Sequence, residues 1–202
     1  MALSNYGELK TEIANFLNRD DLTSSIPSFI AMAEASIGRD LRHWRQQRRV
    51  TAPLDEQFED LPTDWLEMVH IYLNDGTELE YASLAEISRR NLLTNSLAGK
   101  PKVYTLNSGQ IEFVPIPDET YNVIMIYYAR IPALVDNDDT SWLLTLNPDV
   151  YLYGSLIHSA PFLQEDQRIA TWAQLYSAAI SNLNAVSDRA EYSGGTLVMR
   201  NK

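Results

Sequence analysis

The stretch Val150-Tyr-Leu-Tyr-Gly-Ser-Leu-Ile-His-Ser-Ala-Pro-Phe-Leu163 constrains the fold of this chain more than any other. Nine of its fourteen residues are apolar or aromatic, and as a helix Val150, Tyr151, Leu152 and Tyr153 alone cover a full turn. A helix on the surface of a small protein keeps one polar face toward water. This one has no such face, so something must cover it nearly all round. Asn147-Pro148-Asp149 opens it with an N-cap, a proline in the first turn and an acid at the positive end of the helix dipole. Pro161 is expected to kink or end it.

Helical spacing recurs at both ends of the chain. Asn5 and Glu8 have the spacing of a capping box, and Tyr6, Leu9, Ile13, Phe16 and Leu17 follow, which predicts a helix over residues 5–18. Ile26, Ile30, Ala33, Ile37, Leu41 and Trp44 predict a second, with Pro27 in its first turn and Arg39, Arg42, Arg45, Arg48 and Arg49 in its last turns. A final helix is expected over residues 165–186, with Ile169, Trp172, Tyr176, Ala179, Ile180, Leu183 and Val186 facing inward.

Between these ends the period changes. Residues 63–73 lead into Asn74-Asp-Gly76 and then 77–81, and an Asp-Gly pair between alternating runs signals a hairpin. A short helix over 84–93 is followed by strands at 102–106 and 110–114 across an Asn107-Ser-Gly109 turn. The run 121–128 is apolar on both faces and is placed centrally in an antiparallel sheet. The expected class is therefore α+β. An antiparallel helix bundle from residues 1–47 and 142–186 carries a β-rich insertion over 48–141 and an extended tail over 187–202.

Composition removes several chemistries. The chain has 202 residues, no cysteine and a net charge of -11. Disulfides, thiolate zinc sites and cysteine nucleophiles are excluded, and loose phosphate binding over the whole surface is disfavoured. There is no signal-peptide pattern and no apolar run long enough to span a bilayer, so the chain reads as a soluble protein made inside a cell, with no membrane partner. His43, His70 and His158 lie on different elements with no metal-pair spacing, and His158 reads as a hydrogen-bonded interior histidine. Asp136-Asn-Asp138-Asp139 has Ser141 and Asn147 where a calcium loop needs glycine and glutamate, so it reads as a solvated acidic loop. Asp55, Glu56, Glu59 and Asp60 are the carboxylates a peptidoglycan-cleaving hydrolase would use, but nothing in the sequence marks either of a pair as buried. No cofactor, metal or catalytic motif is found.

The arginines remain. Residues 39–49 hold five of them and one acid, Asp40, a local charge of +4 within an acidic chain. Two readings compete: a nucleic-acid-binding patch, or guanidinium forks that pair with acidic surface on a neighbouring chain. The second is preferred, with Trp44 as the last residue of the apolar stripe.

Several stretches resemble a known family: Asn5-Tyr-Gly-Glu-Leu-Lys, Ile13-Ala-Asn-Phe-Leu-Asn-Arg19, Ile26-Pro-Ser-Phe-Ile-Ala-Met-Ala-Glu34, Leu61-Pro-Thr-Asp-Trp65 and Tyr127-Tyr-Ala-Arg-Ile-Pro-Ala-Leu134. The most telling is Trp142-Leu-Leu followed by Asn147-Pro-Asp-Val-Tyr-Leu-Tyr-Gly154. Together they look like the head-to-tail adaptor, or connector, proteins of short-tailed bacteriophages. The resemblance implies a non-enzymatic virion protein of the neck, made in the host cytoplasm. It implies a ring of identical subunits, typically twelve, between the portal and the tail nozzle or tube. Packaged double-stranded DNA would pass through the bore without sequence-specific binding. The C-terminal extension would dock on the portal, here through Gly194, Gly195, Leu197, Val198, Met199 and Arg200. Subunit contacts would fall to Arg39, Arg42, Arg45, Arg48, Arg49, Tyr151, Gly154 and Ser155. On this view the uncovered apolar surface of the 150–163 segment meets a neighbouring subunit; the alternative is that the β insertion covers it.

Overall fold

In the computed structural model, which describes residues 3–94, 98–163 and 167–192, helices and strands segregate along the chain as the change of period predicts. In chain order the elements are α1 (Tyr6–Leu17), α2 (Ile26–Asp40), β1 (Gln47–Leu54), β2 (Phe58–Asp60), β3 (Trp65–Leu73), β4 (Glu80–Tyr81), α3 (Leu84–Thr94), β5 (Val103–Asn107), β6 (Gln110–Val114), β7 (Tyr121–Ala129), α4 (Trp142–Leu146), α5 (Pro148–His158) and α6 (Arg168–Tyr192). The class is α+β, with two sheets. The chain divides into two compact units, Met1–Trp44 with Ile131–Lys202, and Arg45–Arg130.

In the helical unit α5 is the central element. It packs against α1, α2, α4 and α6, and Val150, Tyr151, Ser155 and Leu156 are buried. Gly154 explains how two helices approach it so closely: a Cβ there would lie 3.2 Å from Ala33 Cβ on α2 and 3.3 Å from Tyr176 Cε2 on α6. The absence of a polar face is thus met by helices of the same chain. Pro161 falls in a 3₁₀ turn, Ala160–Phe162, just past the end of α5 at His158.

The capping of α1 involves one residue more than its sequence suggests. Asn5 Oδ1 accepts the Glu8 N–H at 2.8 Å, while the Glu8 carboxylate reaches back to accept the N–H of Ser4 at 2.7 Å. The helix ends at Asn18, whose left-handed backbone (φ 50°) lets its N–H bond the Ala14 carbonyl.

Helix α2 stops earlier than the periodicity predicts. Leu41 turns extended after Asp40, and the chain passes a 3₁₀ turn, Trp44–Gln46, before it enters β1 at Gln47, so Arg45 sits in that turn and Arg48 and Arg49 on a strand. Arginine is a good helix former and its spacing here mimicked helical turns. Pairing along eight positions with β7, from Gln47↔Tyr128 to Leu54↔Tyr121, overrides that local preference. Pro53 is tolerated because β1 is an edge strand. Trp44 does not close the apolar stripe: it is 40% exposed.

Helix α6 runs on to Tyr192, so residues 187–192 belong to the helix and not to an extended tail. Its inward row also departs from expectation at one place: Val186 is 51% exposed, and Ser187, 1% exposed, takes the inward position. Ser187 is polar, so hydrophobic periodicity passes over it.

The second unit holds a three-stranded antiparallel sheet, β1-β7-β3, and a four-stranded sheet, β2-β6-β5-β4. Strand β7 is central in the first, with Val123, Ile124 and Met125 all buried, as its unbroken apolar run predicts. The expected single antiparallel sheet is corrected to two. The turn at Gly76 (φ 87°) forms, but only one bridge, Tyr72↔Glu78, continues the hairpin before β4 leaves to pair parallel with β5. Leu54, Ile71, Phe113, Tyr127 and their neighbours make one apolar cluster that draws on both sheets. Helix α3 packs on β5 and β6, with Ile87 buried against Val103 and Val114.

Candidate functional site

The five arginines fall on three kinds of element in two units. Arg39 is on α2, and its guanidinium donates to Ser36 Oγ at 3.0 Å. Arg42 follows the end of that helix and donates to the carbonyls of Gly38 (2.9 Å) and Leu41 (2.8 Å), satisfying acceptors that the helix terminus leaves open. Arg45, Arg48 and Arg49 belong to the other unit. Arg48 pairs with Asp64 at 2.7 Å. Successive residues of a strand point to opposite faces, so Arg48 and Arg49 diverge. A single basic row is therefore absent within this stretch, and Arg42 and Arg48 are engaged by their own chain.

Asp64 is a node that sequence reading missed. It takes the Arg48 ion pair, accepts the Tyr127 hydroxyl at 2.9 Å, and its backbone carbonyl accepts the Arg130 N–H at 2.6 Å. Burial, then the Asp64 hydrogen bond, push the Tyr127 phenol above its ordinary pKa. The only sequence signal was an acid in a polar turn before an alternating run.

Tyr151, Gly154 and Ser155, expected at a subunit contact, lie on α5. All three are buried in their own unit. Burial pushes the Tyr151 phenol up to about 12, and Ser155 Oγ donates to the Tyr151 carbonyl at 2.7 Å, spending its hydrogen bond inside α5. Gly194, Gly195, Leu197, Val198, Met199 and Arg200 lie outside the described residues.

The acidic loop has a structural use. The carbonyls of Asn137 and Asp139 accept the N–H groups of Gly7 and Tyr6 at 2.9 Å each, the open donors at the start of α1. The Asp139 carboxylate accepts from Val135 and Asp136, and those backbone bonds hold its pKa below the ordinary value. Asp55, Glu56, Glu59 and Asp60 differ from expectation in one respect: Glu59 is half-buried, and desolvation, helped by the three neighbouring acids, raises its pKa. Asp60 accepts from Gln110 at 2.8 Å across β2 and β6.

The three histidines stay apart. His43 is buried, its ring 5.1 Å from that of Trp142 and 5.6 Å from that of Trp44. His70 Nε2 is 3.9 Å from Glu78. His158 is half-buried with Nε2 3.2 Å from Ser36 Oγ; burial and then Arg39 lower its pKa, so it is neutral at pH 7. Among the described residues no three His, Asp or Glu side chains are grouped to hold a metal ion, and no helix is long and apolar enough to cross a membrane. What the geometry offers is a scaffold with exposed charge.

Residues 4–200 match the family model described as SU10 adaptor protein. No curated protein matches the chain.

Proposed function

The chain belongs to the SU10 adaptor protein family, and on that premise we propose that it is the head-to-tail adaptor of a short-tailed phage. Membership makes it a structural phage adaptor that associates with other virion proteins. The finer reading is that copies of it, twelve in number, form a ring in the virion neck that joins the portal to the tail nozzle or tube. That ring helps retain packaged DNA and conducts it. The match over residues 4–200 carries this reading.

Physical features support it. A head-to-tail interface repeated about an axis closes into a ring, and opposite charges on its two faces set the register. The net charge of -11 suits a bore through which a duplex slides without being gripped. Exposed Arg39, Arg45 and Arg49 serve as the basic side of the subunit contact, whereas Arg42 and Arg48 stabilise their own chain. Residues 194–200 dock on the portal, where Leu197, Val198 and Met199 bury apolar surface to offset about 1–2 kcal/mol of backbone entropy per ordered residue. An added strand at a portal edge is one geometry that does this.

Deleting residues 194–202 tests the docking. The expected product keeps the helical circular dichroism and melting point of the full chain and no longer co-sediments with its cognate portal. A truncated protein that co-sediments at normal strength refutes the assignment.

A further inference from the structure

Past the end of α2 at Asp40 the chain runs through residues 41–43 to a 3₁₀ turn, Trp44–Gln46, that leads into β1. The backbone polar groups of this segment, residues 40–44, are not satisfied by a sheet. Three of them are held by two side chains of α6. Asn184 Oδ1 accepts the Arg42 N–H at 3.0 Å, and its Nδ2 donates to the Asp40 carbonyl at 3.0 Å. Three residues on, Ser187 Oγ accepts the Trp44 N–H at 2.8 Å. The same hydroxyl donates to Glu191 Oε1 at 3.3 Å, one turn nearer the end of the helix. A hydroxyl that donates in one direction presents its lone pairs in the other, so Glu191 aims Ser187 at Trp44.

Buried polar atoms are placed in this way only at a cost. Ser187 is 1% exposed in a row whose other inward members are apolar, and a buried hydroxyl without partners is strongly unfavourable. The position serves the segment, not the core. Glu191, by contrast, sits in the last turn of α6, where helices open most readily. Fraying of that turn would remove Glu191 and release the orientation of Ser187 toward the Trp44 amide.

We propose that α6 is a coupling element that ties the state of its own last turn to residues 40–44, with Asn184 and Ser187 as the positioning residues and Glu191 as the relay. The coupling to docking rests on the portal reading given above. A partner that binds the extension and fixes the last turn of α6 holds the clamp closed, because it favours one of two pre-existing states.

Amide hydrogen exchange on the full chain decides this without any partner. Ser187→Ala, a change of one oxygen, is expected to speed exchange at Trp44 roughly tenfold, the loss of about one hydrogen bond. Asn184→Ala does the same at Arg42. The pair Arg189→Gly and Ala190→Gly, at exposed positions between Ser187 and Glu191, reproduces the Trp44 effect and leaves Leu9 and Ile13 in α1 unchanged. Unchanged Trp44 exchange in Ser187→Ala or in the glycine pair overturns the proposal. With portal added, wild-type Trp44 exchange is expected to slow; a complex that forms without slowing it overturns the coupling. A chain that forms no complex overturns the docking reading instead, and leaves the clamp to the partner-free result.

Discussion

Trp172→Ala weighs the packing of the helical unit. Trp172 is 5% exposed on α6 and belongs to the apolar cluster that includes Val150, Tyr151 and Leu156 of α5. A buried indole removes about 200 Å² from water, worth about 5 kcal/mol at 25 cal/mol per Å². Alanine retains about 1 kcal/mol of this, so the loss is about 4 kcal/mol before any collapse of the cavity, within the range of about 3–5 kcal/mol for such truncations. The Arg168 guanidinium, 5.1 Å from the ring centroid, loses a further contact worth about 0.5 kcal/mol at an exposed site. For a chain of this size roughly 3 °C of melting temperature follows each kcal/mol, which gives a fall of about 12 °C. Differential scanning calorimetry measures it directly. Val186→Ala, one of the residues the spacing placed inward, should shift the same transition by no more than about 1 °C because its site is solvated. Equal shifts for the two variants would refute the burial register of α6.

Three other perturbations have definite signs. Glu34 accepts the Leu134 N–H at 2.9 Å, yet burial raises its pKa above the ordinary 4.5. The folded state therefore holds its proton more tightly, so this contribution to stability is full below pH 4.5 and is lost as pH rises through the raised value; Glu34→Gln should remove that decline in urea melts between pH 4 and 7. Asp64→Ala strips the acceptor from the Tyr127 hydroxyl and should cost about 2–3 kcal/mol, whereas Arg48→Ala, which removes a half-exposed ion pair, should cost less than about 1 kcal/mol in the same denaturant titration. Arg49→Glu should weaken self-association in sedimentation velocity and leave the melting temperature within about 1 °C, since its side chain is exposed on an edge strand.

How far the sequence revealed this molecule depends on the kind of interaction at each place. Elements stabilised by their own apolar pattern were legible: α1 from Asn5 and its stripe, β7 from its run of apolar residues, and the central place of α5 from its lack of a polar face. Elements decided by a distant partner were not. Strand β1 forms because β7 lies beside it, and its arginines locally favour helix. Strand β4 pairs parallel to β5 although the Asp-Gly turn points to a hairpin with β3. Single polar residues that satisfy remote backbone groups left even less trace: Ser187 breaks an apolar stripe, and Asp64 resembles any acid in a turn. The burial of Tyr151, Gly154 and Ser155 within their own unit was hidden for a related reason. Excess apolar surface on one helix does not say which molecule covers it, and here α2 and α6 do. The adaptor family was legible because its motifs are scaffold residues spread along the whole chain.

Electron microscopy of the full chain mixed with its cognate portal is the most direct trial of the proposed role. The expected image is a closed ring of this chain seated on the portal, with density for residues 194–200 against the portal surface and Arg39, Arg45 or Arg49 at the contact between neighbouring copies. Free portal rings beside isolated monomers of this chain would contradict it.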